Sequence, residues 1–393
     1  MILDHKDDLK AFRGATRQWI HDTLPPGEAD RLSVAKGDEM MRAQKWWMAE
    51  RHKVGLATPH WPREYGGADL SLAHQIVIAD EFARANAPST DIFTISLNHI
   101  PGTLIPFGTD AQRREHLPRV AEGMVWCQGF SEPGAGSDLA SLRTRAVRDG
   151  DHYVVNGQKI WSSYSMYAEW CILLTRTDPD APRKQQGITY FLLDMKSPGV
   201  EVRPIKKSTG ISLFSELFFD DVRIPVSNRV GEENQGWSVA QATLSSERGI
   251  LVFEATERQR ARLERYYQAA LGRDAPWLQD QQLRREFMSL YGETQSLRLQ
   301  IRELLQQNSG EHGGGYSIVP AVVKLVSSAL RQKVADFQVR AANFGGQAVG
   351  ASAEGVDDAG LFDFIDSYGY TISAGTNEIM RNLIAERGLN LPR

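Results

Sequence analysis

Cysteine is nearly absent, with only Cys127 and Cys171 in 393 residues. They form neither a CxxC pair nor a disulfide framework, which argues against zinc or iron–sulfur ligation and fits a reducing, cytoplasmic setting. Two such thiols read as small buried hydrophobes, and no metal site is expected. No apolar run approaches the length of a bilayer span, and Met1 to Lys10 carries charges where a signal peptide needs an apolar core. The expectation is a protein without a membrane partner. Net charge is only −4, there is no basic stripe, and aromatics fall at helical spacing instead of among Lys and Arg, so nucleic acid is not an expected partner. Repeats and low-complexity segments are also lacking.

At 41% hydrophobic residues the chain has ample material for two or three packed layers. From Lys6 to about Ala87 apolar residues recur at helical spacing, as in Leu9, Phe12, Trp19 and Ile20, then Met40, Met41, Trp46, Trp47 and Met48. The run from Pro59 to Gly67 reads as an ordered loop, and more helix follows to about Gly123 with a break at Pro101-Gly102. From Val125 the pattern changes to short runs such as Tyr153-Val154-Val155, Cys171 to Leu174, Ile188 to Leu193 and Leu217 to Phe219. Turn signals at Asn156-Gly157, Asp178-Pro179 and Pro198-Gly199 separate them, as in an antiparallel barrel or sandwich. After Gly236 the helical period returns through Trp237 to Gln268, Gln281 to Gln307 and Ile318 to Phe344, with Gly313 to Gly315 as a loop. This order predicts an α+β chain: an N-terminal helical domain over 1–124, a middle β domain over 125–232 and a C-terminal helical bundle over 233–393. It excludes an alternating β-α dinucleotide fold, and Gly134-Ala135-Gly136 opens no helix of a βαβ unit, so the nicotinamide fingerprint is not met.

Two segments carry the chemistry. Trp126 to Leu139 (WCQGFSEPGAGSDL) sets small residues and hydroxyls beside aromatics, which suits laying backbone amides and Ser131 against the polar edge of a flat heterocycle while Phe130 covers its face. About 25 residues on, Asn156 to Ser163 (NGQKIWSS) repeats the arrangement: a hairpin-type turn, then a Trp flanked by hydroxyls. Together they predict a ring-binding wall on the β domain.

These segments, with Glu-Tyr-Gly-Gly at Glu64 to Gly67, Phe-Phe-Asp-Asp-Val-Arg-Ile-Pro at Phe218 to Pro225, and Ser373 to Ile379 (SAGTNEI), closely resemble the acyl-CoA dehydrogenase family over nearly the whole chain. The resemblance implies a helical domain, a β domain and a four-helix bundle, with FAD as cofactor and acyl-CoA as substrate. It places Gln128, Phe130 and Ser131 at the isoalloxazine, Trp161 and Ser163 near its reactive N5 side, and Thr376 near the FAD phosphates. Ser137, Arg248 and Gly375 fall toward the acyl-CoA. The implied reaction removes the α-proton with a general base while the β-hydride passes to flavin N5, and electrons leave to an electron-transferring flavoprotein.

The chain departs from the family twice. Many members carry the base as the Glu of a C-terminal Glu-Gly-Thr, but here the triplet is Ala374-Gly375-Thr376. A second family solution places the base on the first long C-terminal helix just before an Arg, and Glu247-Arg248 matches it, so Glu247 is the expected base. Glu378 is the nearest other carboxylate, at a position the family uses for the cofactor phosphates. The other departure is the partner clamp. An Arg-x-x-Phe-Gly stretch and a Gln before Phe-Gly-Gly hold a neighbour's FAD in family homotetramers, and Leu271 to Trp277 and Ala342 lack both. The resemblance is thus to heteromeric members, which implies an α2β2 assembly with a related subunit; a homo-oligomer is the alternative. Two other readings stand: a related flavin enzyme that uses oxygen, and a non-catalytic subunit that stabilises an active partner.

Overall fold

A computed structural model describes residues 2–25, 27–33, 35–246, 250–308, 319–342 and 359–392. In chain order the helices before the sheet are α1 (Leu9–Thr23), α2 (Glu28–Ser33), α3 (Gly37–Lys53), α4 (Leu72–Arg84), α5 (Ile100–Phe107) and α6 (Asp110–Ala121). The strands are β1 (Trp126–Gly129), β2 (Arg145–Asp149), β3 (His152–Ser163), β4 (Trp170–Arg176), β5 (Ile188–Asp194), β6 (Val200–Ile205), β7 (Phe214–Pro225) and β8 (Arg229–Val230). Then come α7 (Gly236–Ser246), α8 (Ile250–Gly272), α9 (Gln281–Asn308), α10 (Val319–Ala341), α11 (Ala359–Ile372) and α12 (Asn377–Leu383). Glu247, Arg248, Gly313 to Gly315, Ile318 and Phe344 lie outside the described residues. The described residues form two compact units, one from those within 35–70 and 88–246, the other from those within 2–33, 71–87 and 250–392.

The first unit is built on the sheet, ordered β6-β7-β3-β2-β4-β5-β8 with β1 added beside β4. Most pairs are antiparallel, but β1 runs parallel to β4, with Cys127 opposite Cys171, and β2 meets β4 in parallel at Arg145. The wholly antiparallel expectation is corrected there, because β1 reaches β4 only after the chain has passed through β2 and β3. Both thiols are free and buried, and burial pushes that of Cys171 up, which keeps it inert. Helices close one side of the sheet through a core that includes Ile100, Leu104, Leu117, Val120, Trp126, Ile172, Tyr190 and Val239. A buried hydroxyl cluster joins α5, β5 and α7: Thr103 Oγ1 lies 2.6 Å from Thr243 Oγ1 and 3.2 Å from Tyr190 Oη, which satisfies groups that burial would otherwise penalise.

Two local expectations differ from the observed chain. Pro101-Gly102 does not interrupt the helix. A π turn over Ile95–His99 shifts the bonding so that Ile100 N donates to Ile95 O, and Pro101 then falls in the first turn of α5, where its missing N–H costs little. Asn156-Gly157 is no hairpin turn either. The β2–β3 hairpin turns at Gly150-Asp151, and Asn156-Gly157 sits inside β3 at a register shift against β7. A Cβ on Gly157 would lie 2.7 Å from Thr144 Cα, at φ +149, so only glycine fits this close approach.

The second unit is helical. Asp8 caps α1 by accepting from Lys10 N and Ala11 N at 2.9 and 3.1 Å, and Phe12, Thr16 and Ile20 form its buried stripe. In α9, Phe287, Leu290, Thr294, Leu297, Ile301 and Leu304 are buried, an alternating three-four spacing that makes a bundle seam. Trp277 plugs the α8–α9 connection, stacked on Tyr266 at 5.8 Å and edge-on to Phe337 at 5.5 Å. A buried ion network ties α1, α4, α8 and α9. Asp80 accepts from Arg13 (2.5 Å), Arg84 (2.9 Å) and Arg260 (3.0 Å); Glu81 accepts from Arg13 and Arg17; Glu257 pairs with Arg260 (2.9 Å) and Arg298.

Candidate active site

The two sequence segments meet in the first unit. The chain after β1 runs alongside β3, where Ile160 N donates to Ser131 O at 2.9 Å. Beneath them Lys159, wholly buried, donates from Nζ to Phe130 O at 3.0 Å and to Glu132 Oε1 at 2.8 Å. Glu132 in turn accepts from Arg143 N at 2.6 Å and Thr144 N at 2.8 Å, so its lone pairs are well used. Glu132 and Ala135 exchange backbone bonds of 3.1 and 3.0 Å across Pro133-Gly134, and nothing lies within 4 Å of a Cβ built on Gly134 or Gly136, which leaves that backbone open to a ligand.

Trp161 is the outward feature of this wall. Strict alternation from Tyr153 and Val155 through Lys159 would turn Trp161 into the core. A pairing irregularity between Lys159 and Ser162 intervenes, so Ser162 faces inward and Trp161 stands 57% exposed at φ 62, in left-handed backbone. Its ring meets the edge of Phe214 at 6.1 Å and 85°. Gln128, Ser131 and Ser163 are half-buried on the same segments, and Ser137 is exposed beyond the turn. Phe130 differs from the expected ring cover: its side chain is 4% exposed and packs edge-on against Tyr190 at 5.8 Å, so its ring belongs to the core. The donor set of hydroxyls, open backbone and one outward indole fits a flat heterocycle with polar edges.

In the second unit, the turn between α11 and α12 holds the remaining candidates. Ala374 and Gly375 both take left-handed backbone, at φ 53 and 86. Thr376 caps α12, accepting from Ile379 N at 3.2 Å, and Asn377 Oδ1 anchors the turn to α10 by accepting from Lys324 Nζ (2.8 Å) and Ser328 Oγ (3.0 Å). Glu378 is exposed and bonded to Arg381 at 3.1 Å. Sequence reasoning missed Lys159 and Glu132. The available signal was a lysine on the inward register of an apolar strand, which demands a buried counter-charge.

Family models match end to end: "Acyl-CoA dehydrogenase, N-terminal domain" over residues 6–124, "middle domain" over 127–222 and "C-terminal domain" over 234–389. The acyl-CoA dehydrogenase IpdE1 of Mycobacterium tuberculosis is 35% identical over 404 aligned residues, covering 98% of each chain. Among solved structures, one described as the Tcur3481-Tcur3483 steroid ACAD superposes with a TM-score of 0.85 at 29% identity, covering 98% of each chain. The ChsE4-ChsE5 complex from Mycobacterium tuberculosis gives a TM-score of 0.79 at 29% identity, over 99% of this chain and 98% of that one.

Proposed function

Since the chain belongs to the acyl-CoA dehydrogenase family, we propose that it is a FAD-dependent enzyme that desaturates a bulky acyl-CoA between its α and β carbons, with Glu247 as base. The observation that carries the cofactor assignment is the outward, left-handed Trp161 on a strand bonded to the Ser131 loop. Gln128, Phe130 through its backbone, Ser131, Trp161 and Ser163 would hold the ring, and Thr376 the phosphate end. FAD, when bound, supplies the acceptor for the β-hydrogen and its electron pair.

Glu247 takes the α-proton in this reading. Its support is chemical: Ala374 has no carboxylate, and Glu378 is exposed and held by Arg381. A base for this step needs partial desolvation, so that its proton affinity rises toward the task. In the same reading Ser137, Arg248 and Gly375 would contact the acyl-CoA. Electrons leave to an electron-transferring flavoprotein, and a related subunit completes an α2β2 assembly, a reading supported by the likeness to structures whose names join two components. The word "steroid" in one of those names supports a bulky acyl group. Anaerobic mixing of the holoprotein with a panel of acyl-CoAs tests the whole: bleaching of the flavin by bulky thioesters is expected. Rapid re-oxidation of the bleached flavin on admitting air would favour an oxygen-using enzyme, and no bleaching except with an added partner would favour the non-catalytic subunit.

A further inference from the structure

We propose that the buried pair Lys159–Glu132 is the positioning device of the flavin wall, setting the Ser131 loop against the strand that carries Trp161; this rests on the flavin reading above. Lys159 cannot touch a ligand, because it has no exposed surface. What it touches is the backbone of the wall. Its Nζ bonds Phe130 O at 3.0 Å, one residue before Ser131, and Glu132 Oε1 at 2.8 Å, one residue after. Lys159 itself lies two residues before Trp161 on β3, just ahead of the pairing irregularity that turns the indole outward. One ammonium thus fixes both flanks of Ser131 to the strand of Trp161.

Core packing alone does not call for this arrangement. A buried ion pair is weak evidence for stability, since replacing it with apolar groups is often neutral or favourable. A methionine would fill the same volume. It would leave the Phe130 carbonyl without its donor and remove the Lys159 bonds that, beside the Ile160 bond, tie the Ser131 loop to β3. The titratable groups that face Lys159 are Glu132 on the loop and, on β4, Arg176 and the neutral thiol of Cys171. Burial depresses the Lys159 ammonium, Glu132 pulls it back up and Arg176 presses it down, so that it titrates at about 8. Loss of that proton leaves the Glu132 carboxylate without its cation and weakens the charge-assisted tie between the Ser131 loop and β3.

The test uses the chain assembled with its related subunit, stripped and retitrated with FAD by fluorescence quenching from pH 6.5 to 9.5, alongside thermal melts of each protein. Wild type is expected to bind FAD with an affinity that falls through an inflection near pH 8. The charge-neutral double variant Lys159→Met/Glu132→Gln is expected to melt within a few degrees of wild type, yet to bind FAD at least tenfold more weakly and without the inflection. If the double variant does not fold, Glu132→Gln alone serves: with its counter-charge gone, Lys159 should lose its proton more readily, and the inflection should move to lower pH. A folded double variant with wild-type affinity and pH profile, or a Glu132→Gln protein whose inflection stays in place, would overturn the proposal. Wild type that fails to bind FAD even with its related subunit present would instead sink the flavin reading on which it stands.

Discussion

At φ 62 an indole occupies backbone space that residues with a Cβ enter at a cost of about 1–2 kcal/mol, and Trp161 does so while leaving 57% of its surface in water. Neither condition benefits the protein without a ligand. Trp161→Gly should therefore leave the melting of the stripped protein unchanged or raise it by up to about 1 kcal/mol, while weakening FAD binding. Calorimetry showing a loss larger than that would assign Trp161 to the fold instead of the site. Glu247→Gln should lower kcat by about 10²–10⁴, the usual reach of a general base, with FAD retained; single-turnover reduction measures it. That the two segments belong together was legible because hydroxyls and aromatics cluster in both, and Ile160 N bonds Ser131 O between them. The orientation of Trp161 was not, because a single bulge inverts the face of every residue after it. Lys159 stayed hidden because a lysine in a strand reads as solvated unless its buried partner, 27 residues away, is known.

The elements themselves were read from period. Helical spacing up to Gly123 and the short apolar runs after Val125 correspond to α6 ending at Ala121 and β1 opening at Trp126. The misreadings sit where local chemistry has two uses. Asn-Gly favours a tight hairpin turn, but it equally suits a bulge, where Asn156 Oδ1 accepts from Asp221 N at 3.0 Å and Gly157 lets β3 approach Thr144. Gly157→Ala forces that backbone apart and should cost about 2–3 kcal/mol by urea unfolding; a neutral result would remove the close approach from the explanation of β3. In the helical unit, Asp80 bridges α1, α4 and α8 through three guanidiniums. Asp80→Asn should cost about 1–3 kcal/mol, because buried Arg260 loses one of its carboxylate partners. Burial alone would raise the Asp80 carboxyl, but Arg13 and Arg84 hold it below 3.8. A depressed carboxyl contributes stability that is full above its unfolded value and is lost as pH falls through the folded one. Wild-type stability should thus drop below about pH 4, and Asp80→Asn should show a shallower fall in the same window. Equal slopes for the two proteins would exclude Asp80 as the source.

For the molecule as a whole, the order helices, strands, helices fixes the architecture, and the family models follow it from residue 6 to residue 389. The proposed assembly turns on one stretch: Leu271 to Trp277 supplies a core plug, with Trp277 buried among Tyr266, Phe287 and Phe337, where family homotetramers carry an Arg-x-x-Phe-Gly pattern. Purified alone, the chain should retain FAD poorly, and sedimentation with the related subunit should give an α2β2 species that holds it stoichiometrically; a FAD-replete homo-oligomer with full turnover would refute that assembly. The most direct measurement of the enzymatic claim is anaerobic titration of the FAD-loaded protein, wild type and Glu247→Gln, with a bulky acyl-CoA while the visible flavin absorbance is followed. Wild type should bleach and Glu247→Gln should keep its colour with FAD still bound. Equal bleaching of both, or none of either by any acyl-CoA, would contradict it.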